Sequence, residues 1–259
     1  MATCRLELMG VYDYTRHAAT VLQKAQKTGV LSGLNIPNKK PGEPLLEWAR
    51  ILRSELPSVE VTVHYSLKHQ SRKNPAEAFR EWCHEAASIG VRRVLLVTGP
   101  RGPRQDTVSV LSRLGRSVDG LRLGVAFNAC LPTEAEREAE RQRLVQKLRT
   151  GLVHDIWLNT GVDEDLLRSG IAFVKSTCDK LGVKPDMFAS AMLPSEGQLQ
   201  QMRERPWNGV QFSEEFLSSV EGMGSATSRA LGVFRETGVE PIIETRSSLN
   251  NVLAHLCKS

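Results

Sequence analysis

Residues 121–165 read LRLGVAFNACLPTEAEREAERQRLVQKLRTGLVHDIWLNTGVDED. An apolar run over 123–127 gives way to Pro132 and then to a long charged stretch over 133–149, which Gly151 closes. A second apolar run follows and stops at Leu158, Asn159 and Thr160. A strand, a helix ended by glycine and another strand make one βαβ unit. Its polar residues gather where the second strand stops, which is where parallel α/β folds keep their chemistry.

The same alternation of short apolar runs with longer amphipathic ones extends in both directions, the pattern of repeated βα units on a parallel sheet. Strands are predicted over 5–9, 31–36, 59–65, 93–97, 121–127, 155–159, 187–192 and 241–245. Helices are predicted over 15–27, 44–55, 75–89, 106–117, 133–149, 163–181, 195–204 and 225–236, with a terminal helix over 249–257. Proline near several starts, and Gly29, Gly90, Gly151, Gly182 and Gly238 just past the ends, match the usual punctuation of helices. Eight units fit a single (β/α)8 TIM barrel of the α/β class over residues 1–259 better than an open doubly wound sheet. The first turn, Met9-Gly10-Val11-Tyr12-Asp13, lacks the glycine pattern of a dinucleotide fold. Residues 207–216 stand outside the count: Gly209-Val210-Gln211-Phe212 reads as a strand, inside an insertion that caps the barrel.

Composition narrows the classes of function. The net charge of +5 is an excess of 34 basic over 29 acidic residues, spread along the chain. Arg92-Arg93 and residues 101–104 suit either phosphate binding or solvated loop and helix ends, and no aromatic interleaving accompanies them, so nucleic acid is not an expected partner. Cys4, Cys83, Cys130, Cys178 and Cys257 are scattered without paired spacing, as in a reducing compartment. No apolar segment has the length to span a bilayer, and residues 1–10 lack the apolar core of a secretory signal. A soluble intracellular protein is expected, cytoplasmic by default; the N-terminus is not clearly a mitochondrial presequence.

In a barrel the site forms at the carboxyl ends of the strands. The polar residues there are Glu7, Asn35, Asn38, His64, Tyr65, Thr98-Gly99-Pro100-Arg101, Asn128, Asn159, Thr160, Asp163, Glu244, Thr245 and Arg246. Glu7 is an acid within Leu6-Glu7-Leu8-Met9, so it either faces a polar mouth with a raised pKa, fit for a general acid, or pairs with Arg5 or another surface cation where the strand frays. His64 follows a strand of alternating polarity and either meets a heterocycle or phosphate or is tied to a backbone carbonyl in the core. It lacks two further ligands at metal spacing. The loop over 98–104 offers glycine amides and arginines to a diphosphate, or is a surface turn.

In the order and spacing of these residues along nearly its whole length, the chain resembles the methylenetetrahydrofolate reductase family. The resemblance implies a flavin-bearing barrel that passes hydride from NAD(P)H through FAD to a folate. It puts Glu7 in the place of the acid that activates the folate, and His64 in that of a histidine near the flavin. It places Lys147 as the flavin-phosphate lysine and Glu140 where an aspartate faces the cofactor ribose. Asn159, with Asp163 after it, echoes an amide that meets the pterin. Three places depart from the pattern: Thr98-Gly99-Pro100 stands for an Arg-Gly-Asp whose acid tunes the flavin, Phe127 for a tyrosine that meets the cofactor, and Leu131 for a histidine. The resemblance therefore carries Glu7 as catalytic, His64, Thr98, Gly99, Phe127, Glu140 and Lys147 as cofactor-binding, and Asn159 as substrate-binding. A second expectation is a non-catalytic barrel relative, kept as a folate- or flavin-binding protein, a homo-oligomer or a partner in a protein complex.

Overall fold

The computed structural model describes residues 3–8, 22–23, 26–27, 29–70, 74–99, 106–115, 118, 120–206 and 209–245. Eight strands, β1 (Cys4–Leu8), β2 (Leu31–Ile36), β3 (Glu60–Ser66), β4 (Arg93–Val97), β5 (Arg122–Phe127), β6 (Asp155–Leu158), β7 (Asp186–Met192) and β8 (Glu240–Thr245), pair in sequence order. Every pairing is parallel, and β8 returns to β1 so that the sheet closes. The protein is a (β/α)8 barrel. Each strand lies within one residue of its predicted limits.

Around the barrel run α1 (Leu45–Glu55), α2 (Pro75–Ser88), α3 (Thr107–Leu114), α4 (Glu134–Arg149), α5 (Glu164–Leu181), α6 (Glu196–Glu204), α7 (Glu214–Ser218) and α8 (Val220–Thr237). The helix expected over 15–27 lies mostly outside the described residues, and the one over 249–257 entirely so. Gly90, Gly151, Gly182 and Gly238 all have φ between 67° and 82°, left-handed stops for which glycine carries no Cβ penalty. In α4 the Thr133 hydroxyl accepts from the Glu136 amide at 3.2 Å while the Glu136 carboxylate accepts from the Thr133 amide at 3.0 Å, a reciprocal capping box.

Two expectations are corrected near the last unit. Residues 209–212 form no strand; Gly209 has φ 76° and its carbonyl accepts from Asn128 Nδ2 at 2.6 Å, so the segment is a loop held over the barrel mouth. The helix expected from residue 225 starts at Val220, because Ser219 caps it by accepting from the Gly222 amide. Two early glycines disguise that first turn. Gly222 is there for space: a Cβ would sit 2.2 Å from the Glu215 carbonyl.

Alternation along the strands sorts the interior. Outward residues such as Leu6, Leu34, Ile36, Val61, Val63, Leu123, Val125 and Ile156 are buried against the helices in one continuous core. Each such side chain contributes roughly 1.5–3 kcal/mol. A smaller cluster of Met192, Leu199, Met202, Phe216 and Met223 fastens α6, α7 and α8 to the barrel. Inside the barrel, Leu95, Trp157, Phe188 and Ile242 form an apolar belt. Below it, at the strand starts, Arg5 meets Glu60 at 2.8 Å, Arg93 bridges Glu60, Asp155 and Asp186, and Arg122 meets both aspartates at 2.9 Å. The belt and this ion network close the lower end and leave the upper end open. Among the described residues no helix is long and apolar enough to cross a membrane.

Candidate functional site

The carboxyl ends of the strands open into a cavity of about 810 Å³. Glu7 enters it from β1 and Glu244 from β8, and the two are direct partners across the seam that closes the barrel. Neighbouring strands lie about 5 Å apart, so side chains in one row and on one face are neighbours too. Both glutamates are more than nine-tenths buried.

Their surroundings differ. Lys39 Nζ lies 3.5 Å from Glu7 Oε1, and His64 Nε2 lies 3.7 Å from Glu7 Oε2. Glu244 has hydroxyl neighbours: Thr160 Oγ1 donates to its Oε1 at 3.3 Å, and Ser190 hydrogen-bonds to it as well. The loop that presents Lys39 is fixed by Glu43, whose carboxylate accepts from the amides of Lys39 at 2.7 Å and Lys40 at 3.0 Å. Asn38 ties the same loop to β3 by accepting from the Ser66 amide at 3.1 Å.

Burial raises the pKa of Glu7, and Lys39 opposes the rise. Burial and then the charge of Glu7 push Glu244 up to about 7, against the pull of Lys39, Ser190 and Thr160. Burial, with Lys39 and Arg5, pushes His64 down to about 3, so its imidazole is neutral. His64 Nε2 and Trp157 Nε1 are buried without a hydrogen-bond partner among the described residues, and both residues line the cavity. Trp157 Nε1 packs against Gly124, whereas the His64 nitrogen lies beside Glu7; buried polar atoms in folded proteins are nearly always satisfied, so the His64 nitrogen marks a place for a ligand.

A second part of the wall comes from β4, β5, α3 and α4. Asp106 caps α3 by accepting from the Ser109 amide at 2.9 Å, and Thr98 Oγ1 bonds to the hydroxyl and amide of Thr107 at 3.0 and 3.1 Å. On α4, Lys147 Nζ donates to the Ala126 carbonyl at 2.8 Å and lies 3.7 Å from Glu140 Oε1, while Arg143 forks onto Glu140 Oε2. Burial lowers the pKa of Lys147 and Glu140 opposes the change. An ammonium has three donors, so the two contacts leave Lys147 one for a ligand.

Seven of the residues expected from the sequence therefore line a single cavity: Glu7, His64, Thr98, Gly99, Glu140, Lys147 and Asn159. Phe127 does not, and that expectation is corrected. Ala126 takes the inward place, so its neighbour must face out. Phe127 is 1 % exposed, packs on Phe173 at 6.2 Å between ring centres, and touches the backbone side of α5 at Gly170. Glu7 does not pair with Arg5, which turns down to Glu60, Thr62 and Asn35; the cation it pairs with is the part-exposed Lys39. Tyr65, another strand-end candidate, faces outward onto Phe79 and Trp82. Residues 100–104 and 246 lie outside the described residues.

The strand-end inventory contains Glu244 and Thr160 but gives them no role, and it omits Lys39 and Ser190. Ser190 carries a usable signal, since it lies two residues from inward Phe188 on the same face of β7. Lys39 carries none, because its position depends on how Glu43 folds the loop. Compared with family models and with curated proteins, the chain gives no match.

Proposed function

We propose that this barrel is an oxidoreductase of the methylenetetrahydrofolate reductase kind, which reduces a folate-type methylene group with NAD(P)H through FAD. The observation that carries the reading is the buried Glu7–Glu244 pair, placed to keep a proton near neutral pH at the mouth of a cofactor-sized cavity. Ligand cavities for molecules of that class run to about 300–1,000 Å³.

The residues present fit a flavin. His64 keeps a buried ring nitrogen without a partner among the described residues, and Lys147 and Arg143 on α4 suit the charge of a diphosphate. A bound flavin would supply hydride transfer. Asp106 puts a carboxylate on the wall where Thr98-Gly99-Pro100 has none. Phe127 faces the helices, so its missing hydroxyl takes nothing from the cavity.

The chain's own residues then have distinct tasks. Turning a methylene bridge between two nitrogens into a methyl group on one of them consumes one hydride and one proton. The breaking C–N bond leaves its electron pair on the departing nitrogen, which takes the proton from the carboxyl pair. Asn159 offers an amide able to donate to and accept from a pterin edge. The apolar belt of Leu95, Trp157, Phe188 and Ile242 bars water from below.

The test is an absorbance spectrum of the purified protein with and without added FAD, followed by NAD(P)H oxidation with methylenetetrahydrofolate. Flavin bands and folate-dependent oxidation are expected. A colourless protein that does not bind FAD would sink the reading. One observation favours a non-catalytic relative instead: Thr98, in the place of the family's Arg-Gly-Asp, spends its hydroxyl on Thr107. That version predicts no turnover and stable association with another protein in cell extract.

A further inference from the structure

The family pattern assigns acid chemistry to the first-strand glutamate alone, but the geometry here points to a division of labour. We propose that Glu244 is the member of the pair that holds the proton at neutral pH and delivers it, while Glu7 stays a carboxylate. Two carboxylates and one ammonium, −2 + 1, leave an excess of one negative charge in a buried place, and a single bound proton removes it.

Where that proton resides follows from the neighbours on each strand. Glu7, on β1, faces Lys39 from the loop after β2 at 3.5 Å and neutral His64 from β3 at 3.7 Å. The ammonium stabilises the ionised form of Glu7, and its charge falls off before it serves Glu244 equally. Glu244, on β8, faces Glu7 on one side, Ser190 of β7 on the other and Thr160 across the mouth. Among the described residues no cation is in ion-pair contact with it. Below the pair lies the apolar belt of Ile242, Trp157 and Phe188. The ammonium beside Glu7 and the like charge beside Glu244 therefore favour Glu7 ionised and Glu244 protonated, and outweigh the hydroxyl donors of Ser190 and Thr160, which favour ionised Glu244. Two carboxyls in one site, driven apart by their environments, are the arrangement from which acid and electrostatic roles separate.

The roles combine in the proposed reaction. The O–H bond of Glu244 breaks and an N–H bond forms on the departing folate nitrogen. The C–N pair stays on that nitrogen, and hydride supplies the pair for the new C–H bond. Glu7, as an anion, stabilises the positive charge that grows on the carbon and the other nitrogen as the bond opens. Water returns a proton to Glu244 afterwards.

The substrate in this scheme rests on the function proposed above, but the place of the proton does not. Infrared spectra of the carboxylic-acid carbonyl band, followed across pH without any ligand, read it directly. The wild type should lose the band as pH rises through about 7. Glu244→Gln should have no band near neutral pH. Glu7→Gln should keep it with the midpoint moved down, because the like charge has gone. Thr160→Val and Ser190→Ala, which remove donors to the ionised form of Glu244, should move the midpoint up, and they serve if a glutamine variant fails to fold. A band lost in Glu7→Gln and kept in Glu244→Gln, or no titrating band in the wild type, overturns the proposal. In protein that turns over folate, Glu244→Gln should lower kcat by a factor on the order of 10²–10⁴ and Glu7→Gln by less. The opposite ranking also overturns it. Failure to bind FAD counts against the reductase reading and leaves the infrared result to stand alone.

Discussion

The two ends of the barrel are built from the same eight strands and answer opposite demands. At the lower end Arg5, Arg93 and Arg122 are ion-paired with Glu60, Asp155 and Asp186, so +3 meets −3, while Asn35 Nδ2 and Asp155 Oδ2 have no hydrogen-bond partner among the described residues. At the upper end, among the described residues, the Glu7–Glu244 pair has Lys39 as its one ion-pairing cation, and His64 keeps an unpartnered nitrogen. Balanced charge fixes a structure; unbalanced charge beside a cavity shifts pKa values and waits for a ligand. Charged side chains inside a barrel are therefore not in themselves a sign of chemistry. What separates the ends is whether the charges balance among themselves.

The largest expected effect comes from breaking the closed end. Asp155→Asn leaves Arg93 and Arg122 short of a buried counter-charge and should cost about 3–5 kcal/mol in denaturant unfolding, with little change in flavin binding by the folded protein. At the open end the balance reverses. Lys147→Met should weaken FAD binding about 10–100-fold in a fluorescence titration, the loss of one charge-assisted contact of roughly 1.5–3 kcal/mol, with a smaller change in melting temperature. Phe127→Tyr belongs to neither end. It brings in the tyrosine of the proposed reductase pattern yet places a hydroxyl against Phe173, so it should cost about 1–3 kcal/mol in stability and bring no gain in flavin affinity. An increase in affinity would mean that this strand turns the other face inward.

The smallest effect is a slope. A buried carboxyl with a raised folded-state pKa stabilises the fold most below its ordinary value, and loses that contribution as pH climbs through the folded one. For Glu244 the window runs from 4.5 to about 7. Wild-type stability should fall with pH across it, and Glu244→Gln should flatten the fall. The measurement is a series of urea midpoints at successive pH values; a steeper slope in the variant would contradict the raised pKa.

Most of the barrel was legible in the sequence because strand and helix periods differ and glycines mark the stops. Gly151 and Gly182 ended helices where left-handed backbone was required. The legibility failed where local pattern and packing disagreed. Gly222 and Gly224 hid the start of α8 because one of them answers to a contact with α7, and Val210-Gln211-Phe212 alternates like a strand without an edge to join. For the site, position along a strand was enough to gather Glu7, His64, Asn159 and Lys147 at one cavity. It was not enough to orient Phe127, where a shift of one residue exchanges interior for helix layer. Nor did it expose Lys39, whose reach over Glu7 depends on three backbone and side-chain contacts made by Asn38 and Glu43.

The seam between β1 and β8 joins the first and last strands of the barrel, and it carries both members of the acid pair. A partly folded state with seven strands in place and β8 not yet docked therefore has no paired acid. The unusual proton affinity of the mouth appears only at closure, which makes it a built-in reporter of the final step of assembly. A refolding experiment that follows the proton and the sheet together would see the sheet first.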